Sequence, residues 1–206
     1  MPGTLEDSSA ANQVEPAPKR PSAALSLVAQ VELPTLFGRF RLYGFQERAS
    51  GREHLALAAG DFDPGTRVTV RIHSECLTGE ALGSLNCECR QRLQSALRQI
   101  AGRGGLLLYL RQEGRGLGLI NKLRACALQE QGFDPAAANH LLGFPEDLRT
   151  YDHAVEMLRF FGVQRLLLLT DNPRKIQALL EAGFDVLRQP HPPSGDPVER
   201  RAQGRG

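Results

Sequence analysis

Three cysteines that could bind a metal lie close together in the chain: Cys76, Cys87 and Cys89, in the spacing C-x10-C-x-C. Thiolates suit zinc, and a site with three protein ligands leaves the fourth tetrahedral position to water, as in catalytic zinc centres. A closed structural site, with Cys126 or a histidine as fourth ligand, and three merely buried thiols are the alternatives. The spacing matches no common zinc finger, so it indicates a metal site without deciding its kind.

Several polar side chains directly precede the first cysteine, in Arg71-Ile-His-Ser-Glu-Cys76. They follow a predicted strand, and ligands of open α/β sheets bind where strands end. For these residues alone, an ordinary polar turn is the commoner explanation. Their position beside the cysteines favours a role in binding a substrate.

Two predicted strand-to-helix junctions carry cationic side chains, at residues 111–118 (RQEGRGLG) and 169–175 (LTDNPRK). Glycines let backbone amides approach a phosphate, and arginine binds it through two hydrogen bonds. Neither standard nucleotide signature is present. A flexible loop explains the first junction taken alone, and Asp171 or Asn172 as a helix cap explains the second. Together the two junctions suggest one polyanion held between them.

Hydrophobic periodicity predicts the elements that position these residues. Alternating or continuous apolar runs predict strands at residues 37–43, 54–59, 67–73, 106–110 and 165–170. Apolar residues at helical spacing predict helices at about residues 93–100, 120–128, 154–161 and 173–183, with glycines at their ends. The charged stretch 145–149 is predicted to be a loop between helices. The order of elements predicts a single α/β domain with a β-rich N-terminal part and an alternating strand-helix second half.

The composition of the 206 residues, 41% hydrophobic and 23% charged, supports one main folded domain. We expect a flexible N-terminal extension over residues 1–26, the domain over 27–188, and a proline-rich C-terminal tail over 189–206. A formal net charge of +2 argues against a nucleic-acid-binding surface. The sequence lacks a membrane span and a signal peptide, and its clustered cysteines suit a reducing compartment, so we expect a cytoplasmic protein that binds no membrane.

Four segments together resemble the GTP cyclohydrolase II family, the zinc enzymes that open riboflavin biosynthesis: RIHSECLTGEALGSLNCEC (71–89), RQEGRGLGLINKLRA (111–125), ANHLLGF (138–144) and LLTDNPRKI (168–176). The resemblance runs from about Leu33 to Val186. It implies the fold of that family, a homodimer, and hydrolysis of the imidazole ring of GTP with release of pyrophosphate.

The resemblance also implies roles for individual residues. Cys76, Cys87 and Cys89 would hold one zinc ion, whose bound water attacks C8 of the guanine ring and releases formate. Asp147 and Arg149 match the family's proposed proton acceptor and its nucleophile for pyrophosphate release. Because arginine is a poor nucleophile at its normal pKa, stabilising charge on the phosphates is the safer role for Arg149. Mg²⁺ on the triphosphate would lower the barrier to pyrophosphate loss. The positions that match substrate contacts are Arg71, Ile72, His73, Ser74, Glu75, Glu113, Gly114, Arg115, Thr170 and Lys175.

Three replacements depart from the family's pattern. Arg92 stands where a glutamine is usual, Cys126 where a tyrosine is usual, and Pro135 where a threonine contacts substrate; the family's C-terminal segment with asparagine and tyrosine is also missing. Because the tyrosine hydroxyl can donate a proton or orient water, we expect ring opening that stops at a formylated pyrimidine product. The added charge of Arg92 suggests altered substrate choice.

Two other classes of function remain open at this point. One is a paralogue that binds a nucleotide in a regulatory role, or acts on a different purine nucleotide, which the three replacements favour. The other is a structural zinc protein that binds nucleic acid, which has little support because the basic residues lie on candidate substrate loops. A fourth thiol ligand from Cys126 would close the metal site and weaken the catalytic interpretation.

Overall fold

The computed structural model describes residues 24–63, 65–145 and 147–190. Its strands are β1 (Leu25–Thr35), β2 (Gly38–Glu47), β3 (Glu53–Ala59), β4 (Arg67–Ser74), β5 (Gly105–Leu110), β6 (Arg165–Leu169) and β7 (Asp185–Gln189). Its helices are α1 (Leu77–Glu80), α2 (Cys89–Arg103), α3 (Leu119–Glu130), α4 (Pro135–Leu141), α5 (Asp152–Phe160) and α6 (Pro173–Glu181), and a 3₁₀ turn covers Glu113–Gly116.

All seven strands form one sheet in the order β1-β2-β3-β5-β4-β6-β7. Strands β1, β2, β3 and β5 pair antiparallel, whereas β4 pairs parallel with both β5 and β6, and β6 pairs parallel with β7. The carboxyl ends of β4, β5 and β6 therefore lie at the same edge of the sheet. This edge receives the chain segments that begin at Glu75, Arg111 and Thr170, so the topology brings the three predicted functional loops together.

Helices cover both faces of the sheet because the central strands are apolar on both sides. Leu106 and Leu108 of β5 belong to a core cluster that also contains Met157 and Leu158 of α5. Leu107, between them, points to the other face and packs in a cluster with Ile100 of α2. The alternation along β5 thus fixes the sheet between α2 on one face and α5 and α6 on the other.

Gly105 shows how closely β4 and β5 approach each other. Its φ is +136°, and a Cβ on this residue would lie 2.2 Å from the carbonyl oxygen of Thr69. Only glycine has both the freedom at φ and the space that this start of β5 requires.

The predicted fold class is confirmed, and the predicted strands and helices lie where hydrophobic periodicity placed them. Asn172 is the N-cap of α6, since its side chain accepts a hydrogen bond from the Arg174 amide. Sequence reasoning did not identify β1, β7, α1 or α4. The strand β1 escaped notice because most of its residues are exposed, which leaves little alternation to detect.

The structure differs slightly from the predicted domain boundaries. Strand β1 begins at Leu25, inside the stretch predicted as an extension, because Leu25 is buried in the core. Strand β7 includes Gln189, which was assigned to the C-terminal tail. The rest of the predicted extension and tail, residues 1–23 and 191–206, lies outside the described residues. Within the described ranges, no helix has the length and apolar character needed to cross a membrane.

Candidate active site

The three cysteines predicted to bind a metal come together beside the carboxyl end of β4. Their sulfur atoms all lie within 4.8 Å of one another, and the Sγ atoms of Cys76 and Cys87 are 3.7 Å apart. A tetrahedral zinc ion with bonds of ~2.3 Å would separate its sulfur ligands by about 3.8 Å. All three thiols are free of disulfides. The donor set and its spacing therefore fit a zinc ion.

Gly79 has no side chain, and this leaves room for the sulfur atoms of the cysteine cluster. A Cβ on Gly79 would lie 2.6 Å from the sulfur of Cys87 and 3.2 Å from that of Cys76. The backbone of α1 thus passes directly beside the sulfur atoms, and any larger residue would enter the space between them.

Cys126 does not join the cysteine cluster. It lies on α3, and the group of mutually close ligand atoms contains only Cys76, Cys87 and Cys89 among the described residues. The closed structural site with Cys126 or a histidine as fourth ligand therefore has no support in the described part of the chain.

Lys122 is a neighbour of the cluster that sequence reasoning missed. Its Nζ donates hydrogen bonds to Cys76 Sγ over 3.2 Å, to Thr78 Oγ1 over 2.8 Å and to Glu113 Oε1 over 2.7 Å. Burial opposes ionisation of the Cys76 thiol, but the Gly79 amide, Lys122 and Thr78 outweigh it and lower the pKa of that thiol. Burial by itself would lower the pKa of Lys122, but Glu113 and Cys76 outweigh it and raise this pKa to about 12. The signal available in the sequence was that lysine is rare in this arginine-rich chain.

A cavity of about 300 Å³ adjoins the cysteine cluster, because Cys89 forms part of its wall. It opens where β4 and β6 end. The structure brings eight of the predicted site residues to this one cavity, whose walls include Arg71, His73, Ser74, Cys89, Arg92, Arg149, Thr170 and Lys175.

Two of the cations in this cavity are buried. Arg71 and Lys175 are each 5% exposed. Arg71 donates to the carbonyl oxygen of Leu169 over 2.7 Å, and Lys175 donates to that of Ile72 over 2.8 Å. Burial, reinforced by Arg92, lowers the pKa of Arg71 to about 10, and burial with Arg71 lowers the pKa of Lys175. Since their hydrogen bonds go to carbonyls, an anion in the cavity would neutralise both.

Ile72 contributes its main chain, not its side chain, to the surroundings of this cavity. Its side chain is fully buried in the core, and its contribution to the site is the main-chain carbonyl that accepts the hydrogen bond from Lys175. Ile72 therefore positions a cation at the cavity rather than presenting its own side chain there.

Asp147 holds Arg149 in a fixed orientation. The guanidinium donates two hydrogen bonds to the carboxylate, from Nε over 2.9 Å and from NH2 over 2.7 Å. Arg174 lies 2.7 Å from the same carboxylate. Burial opposes ionisation of Asp147, but Arg149 and Arg174 outweigh it and lower the pKa of Asp147. Burial likewise opposes the charge of Arg149, but Asp147 outweighs it and the pKa of Arg149 is raised. Both groups are therefore ionised, which suits Arg149 to stabilising charge and makes Asp147 a weak base.

Two acidic residues that were predicted to contact substrate, Glu75 and Glu113, line a second cavity of about 490 Å³ together with Leu77 and Arg111. Glu113 is buried and accepts a hydrogen bond from the Leu77 amide over 2.6 Å. Burial raises the pKa of Glu75, although Arg111, with its Nε 3.7 Å from the carboxylate, opposes this effect. Two carboxylates at one cavity can accept hydrogen bonds from an N–H-rich group such as a purine base.

Other predicted contacts lie outside both cavity walls. Arg115 is exposed and has a φ of +60°, an uncommon conformation for a residue with a side chain, and Gly114 shares that φ. Pro135 is the exposed first residue of α4. Gly114, Arg115, Pro135 and Cys126 line neither of these two cavities.

A second group of candidate ligands consists of Glu47, His54 and His153. Glu47 Oε1 lies 2.8 Å from His54 Nε2 and 2.9 Å from His153 Nε2. The amide of Arg111 donates to His54 Nδ1 over 3.1 Å, which places the hydrogen of a neutral His54 ring on Nε2. His54 therefore donates to Glu47, and the group is a hydrogen-bonded carboxylate rather than a metal centre.

The fold and the site define a mixed α/β protein with a three-cysteine candidate metal centre beside a cationic cavity. The family model of GTP cyclohydrolase II matches residues 26–190. A GTP cyclohydrolase-2 from Enterobacter sp. (strain 638) is 51% identical over 166 residues, which cover 80% of this chain and 85% of that relative. The GTP cyclohydrolase-2 proteins of Shigella boydii serotype 18 and Escherichia coli O45:K1 are 50% identical with the same coverage.

The chain belongs to the GTP cyclohydrolase II family, and the resemblance carried by its motifs is confirmed. Among solved structures, a two-domain 3,4-dihydroxy-2-butanone 4-phosphate synthase from A. baumannii matches with a TM-score of 0.49 and 21% identity, over 82% of this chain and 41% of that one.

Proposed function

We propose that this protein hydrolyses the imidazole ring of GTP and releases pyrophosphate, as the first step of riboflavin biosynthesis. The observation that carries the proposal is that Cys89 of the cysteine cluster and the buried cations Arg71 and Lys175 line one cavity. A zinc ion held by Cys76, Cys87 and Cys89 would supply Lewis-acid activation of water beside the bound nucleotide.

The cations of the cavity serve the phosphates in this proposal. Arg71, Arg149 and Lys175 bind the triphosphate, which carries Mg²⁺ when it enters the site. Arg149 is preorganised by its two hydrogen bonds to Asp147, so it stabilises the charge that develops on the departing pyrophosphate without reorienting. Glu75 and Glu113, in the neighbouring cavity, accept hydrogen bonds from the purine base.

We further propose that formate leaves slowly, so that a formylated pyrimidine accumulates. The support is Cys126, which stands where the family has a tyrosine and does not belong to the metal cluster. Mass spectrometry of the GTP reaction separates the formylated and deformylated products. The variant Cys126→Tyr should increase formate release, whereas a clean deformylated product from the unmodified protein would refute this part of the proposal.

Metal content and product analysis on the same preparation test the main proposal. We expect one zinc ion per chain by elemental analysis, and pyrophosphate release from GTP with Mg²⁺. The variant Lys175→Met should lose turnover and keep its zinc, whereas Cys87→Ser should lose both. Binding of GTP without ring opening would favour the regulatory paralogue, and zinc without nucleotide binding would favour a structural protein.

We propose a second copy of the chain as partner, in the homodimer that the resemblance implies, and the cytoplasm as the compartment. The helices α3 and α4 contribute few buried residues and expose the large apolar side chains of Ile120, Leu123 and Leu141. Large exposed apolar side chains, where they cluster on a surface, are typical of an interface. Light scattering after size-exclusion chromatography should give twice the chain mass, and Leu123→Glu should reduce it.

A further inference from the structure

Glu80 accepts three hydrogen bonds next to the cysteine cluster. Its Oε1 lies 2.8 Å from His73 Nε2 and accepts from the Cys76 amide over 2.9 Å. Its Oε2 accepts from the Tyr109 hydroxyl over 2.6 Å. The Cys76 amide can only donate, so Oε1 of Glu80 is an acceptor. An ionised carboxylate has no hydrogen to donate, so Nε2 of His73 donates the hydrogen bond to it. His73 therefore carries its hydrogen on Nε2.

The other ring nitrogen of His73 has no partner among the described residues. Nδ1 is buried without a hydrogen bond, and the whole residue is 3% exposed. The ring stacks on Tyr109, with centroids 5.6 Å apart and an angle of 21° between the planes, so it cannot turn without losing that packing. In a ring with hydrogen on Nε2, Nδ1 carries a lone pair and is an acceptor.

The surroundings of His73 keep that lone pair available. The residue forms part of the cavity wall that also contains Arg71 and Lys175. Burial disfavours the charged ring most, and Arg71 and Lys175 add to this effect, so the pKa of His73 is lowered although Glu80 opposes the shift. The wall of a cavity lined by cations thus includes a histidine whose buried acceptor has no partner among the described residues, and an N–H or O–H group of a ligand can satisfy it.

We propose that Glu80 is a positioning residue that holds His73 in the Nε2–H tautomer, so that Nδ1 accepts a hydrogen bond from an N–H or O–H group of the bound nucleotide. The identity of the ligand rests on the proposed function. A nucleotide without that donor leaves a buried acceptor unsatisfied, so the contact selects for ligands that possess it.

The tautomer can be observed directly in the zinc-loaded full chain labelled with ¹⁵N-histidine. Long-range ¹H–¹⁵N correlation spectra should assign hydrogen to Nε2 of His73. Addition of 7-deaza-GTP, which keeps the N–H and hydroxyl donors but lacks N7, should shift the Nδ1 resonance. Hydrogen on Nδ1 in the unliganded protein, or an unchanged Nδ1 resonance with nucleotide bound, would overturn the proposal.

Variants distinguish a role of Glu80 in positioning His73 from a role in the stability of the fold. Glu80→Ala should give a mixture of the two tautomers, whereas Tyr109→Phe, which removes one donor to Glu80 and keeps its contact with His73, should retain Nε2–H. If Glu80→Ala fails to fold, two replacements of His73 take its place. Asparagine places an acceptor near the position of Nδ1, whereas glutamine reaches only toward Glu80.

Affinity for 7-deaza-GTP, measured by calorimetry, then decides between these replacements. We expect His73→Gln to weaken binding by about 10-fold and His73→Asn by about 3-fold or less, as for loss and retention of one buried hydrogen bond. Equal losses in the two variants would contradict the assigned acceptor. Failure of the unmodified protein to open the ring of GTP would refute the proposed function while leaving the tautomer result in place.

Discussion

The ammonium group of Lys122 lies 3.2 Å from the sulfur of Cys76 and 2.7 Å from a carboxylate oxygen of Glu113. One cation thereby connects a candidate metal-binding thiol, which follows β4, to the loop that follows β5. The contact offsets the negative charge of the thiolate and fixes the position of the sulfur. Lys122 thus supports the candidate zinc site by its hydrogen bond to one of the three thiols.

Removal of this cation should weaken zinc binding. We expect Lys122→Met to lower zinc affinity by about 10-fold, the usual scale for a residue that hydrogen-bonds a metal ligand. Competition with a chromophoric chelator measures the affinity, and Lys122→Arg, which keeps the charge, is the matched control. An affinity equal to that of the unmodified protein in Lys122→Met would show that the contact does not support the metal site.

A methyl group at position 79 should exclude the metal. In Gly79→Ala the new Cβ would meet the sulfur of Cys87 at 2.6 Å, closer than real Cβ contacts allow. We expect zinc content to fall to a small fraction of one per chain while the far-ultraviolet spectrum is unchanged. Gly102→Ala is the control, because a Cβ there meets nothing within 4 Å. Full zinc occupancy in Gly79→Ala would require the cluster to be arranged differently.

The charge of Arg92 is offset within the protein. Arg92 lies 2.9 Å from Glu88 and 3.6 Å from Asp171, and these side chains are about two-fifths exposed. We therefore expect Arg92→Gln to change GTP affinity little, within about 3-fold, as for partly exposed ion pairs. Asp171→Asn should strengthen binding, because it removes a negative charge from the cavity wall and releases Arg92.

The double variant Arg92→Gln/Asp171→Asn tests whether the two residues act together. Calorimetric titration of metal-free protein should show a smaller gain from Asp171→Asn once Arg92 is absent. Additive effects of the two substitutions would mean that the ion pair does not govern the charge of the cavity.

Stability should fall in mild acid because of His54. Its ring is buried, and burial lowers its pKa, an effect that His153 reinforces and Glu47 opposes. Below a pH of about 6.5 the unfolded chain takes up a proton that the folded ring refuses, so the free energy of unfolding decreases by up to about 1.4 kcal/mol per pH unit. The effect ends below the lowered pKa of the folded state.

Urea unfolding at several values between pH 7.5 and pH 5.5 measures this slope. His54→Gln should reduce it, and the remainder should include His73, whose pKa is lowered in the same direction. His140→Gln, at an exposed position on α4, should leave the slope unchanged. An undiminished slope in His54→Gln would show that another group is responsible.

Local patterns in the sequence determined the elements and the types of residue at the site. Alternation and helical spacing depend on residues a few positions apart, which is why β4, β5 and α2 were predictable. The thiols of Cys76, Cys87 and Cys89 indicate a candidate metal site by their chemistry and their proximity in the chain. Asn172 was identifiable as a cap because a cap acts on amides of the next turn.

The tertiary structure alone decided which distant residues meet. Glu80 and Tyr109 are 29 positions apart, and Lys122 and Cys76 are 46 apart. Such contacts follow from the order of the strands, which places the ends of β4 and β5 side by side, and no short-range period encodes that order. Burial of Arg71 and Lys175, and with it the cavity for an anion, likewise exists only once the sheet has assembled and the helices have closed over its two faces.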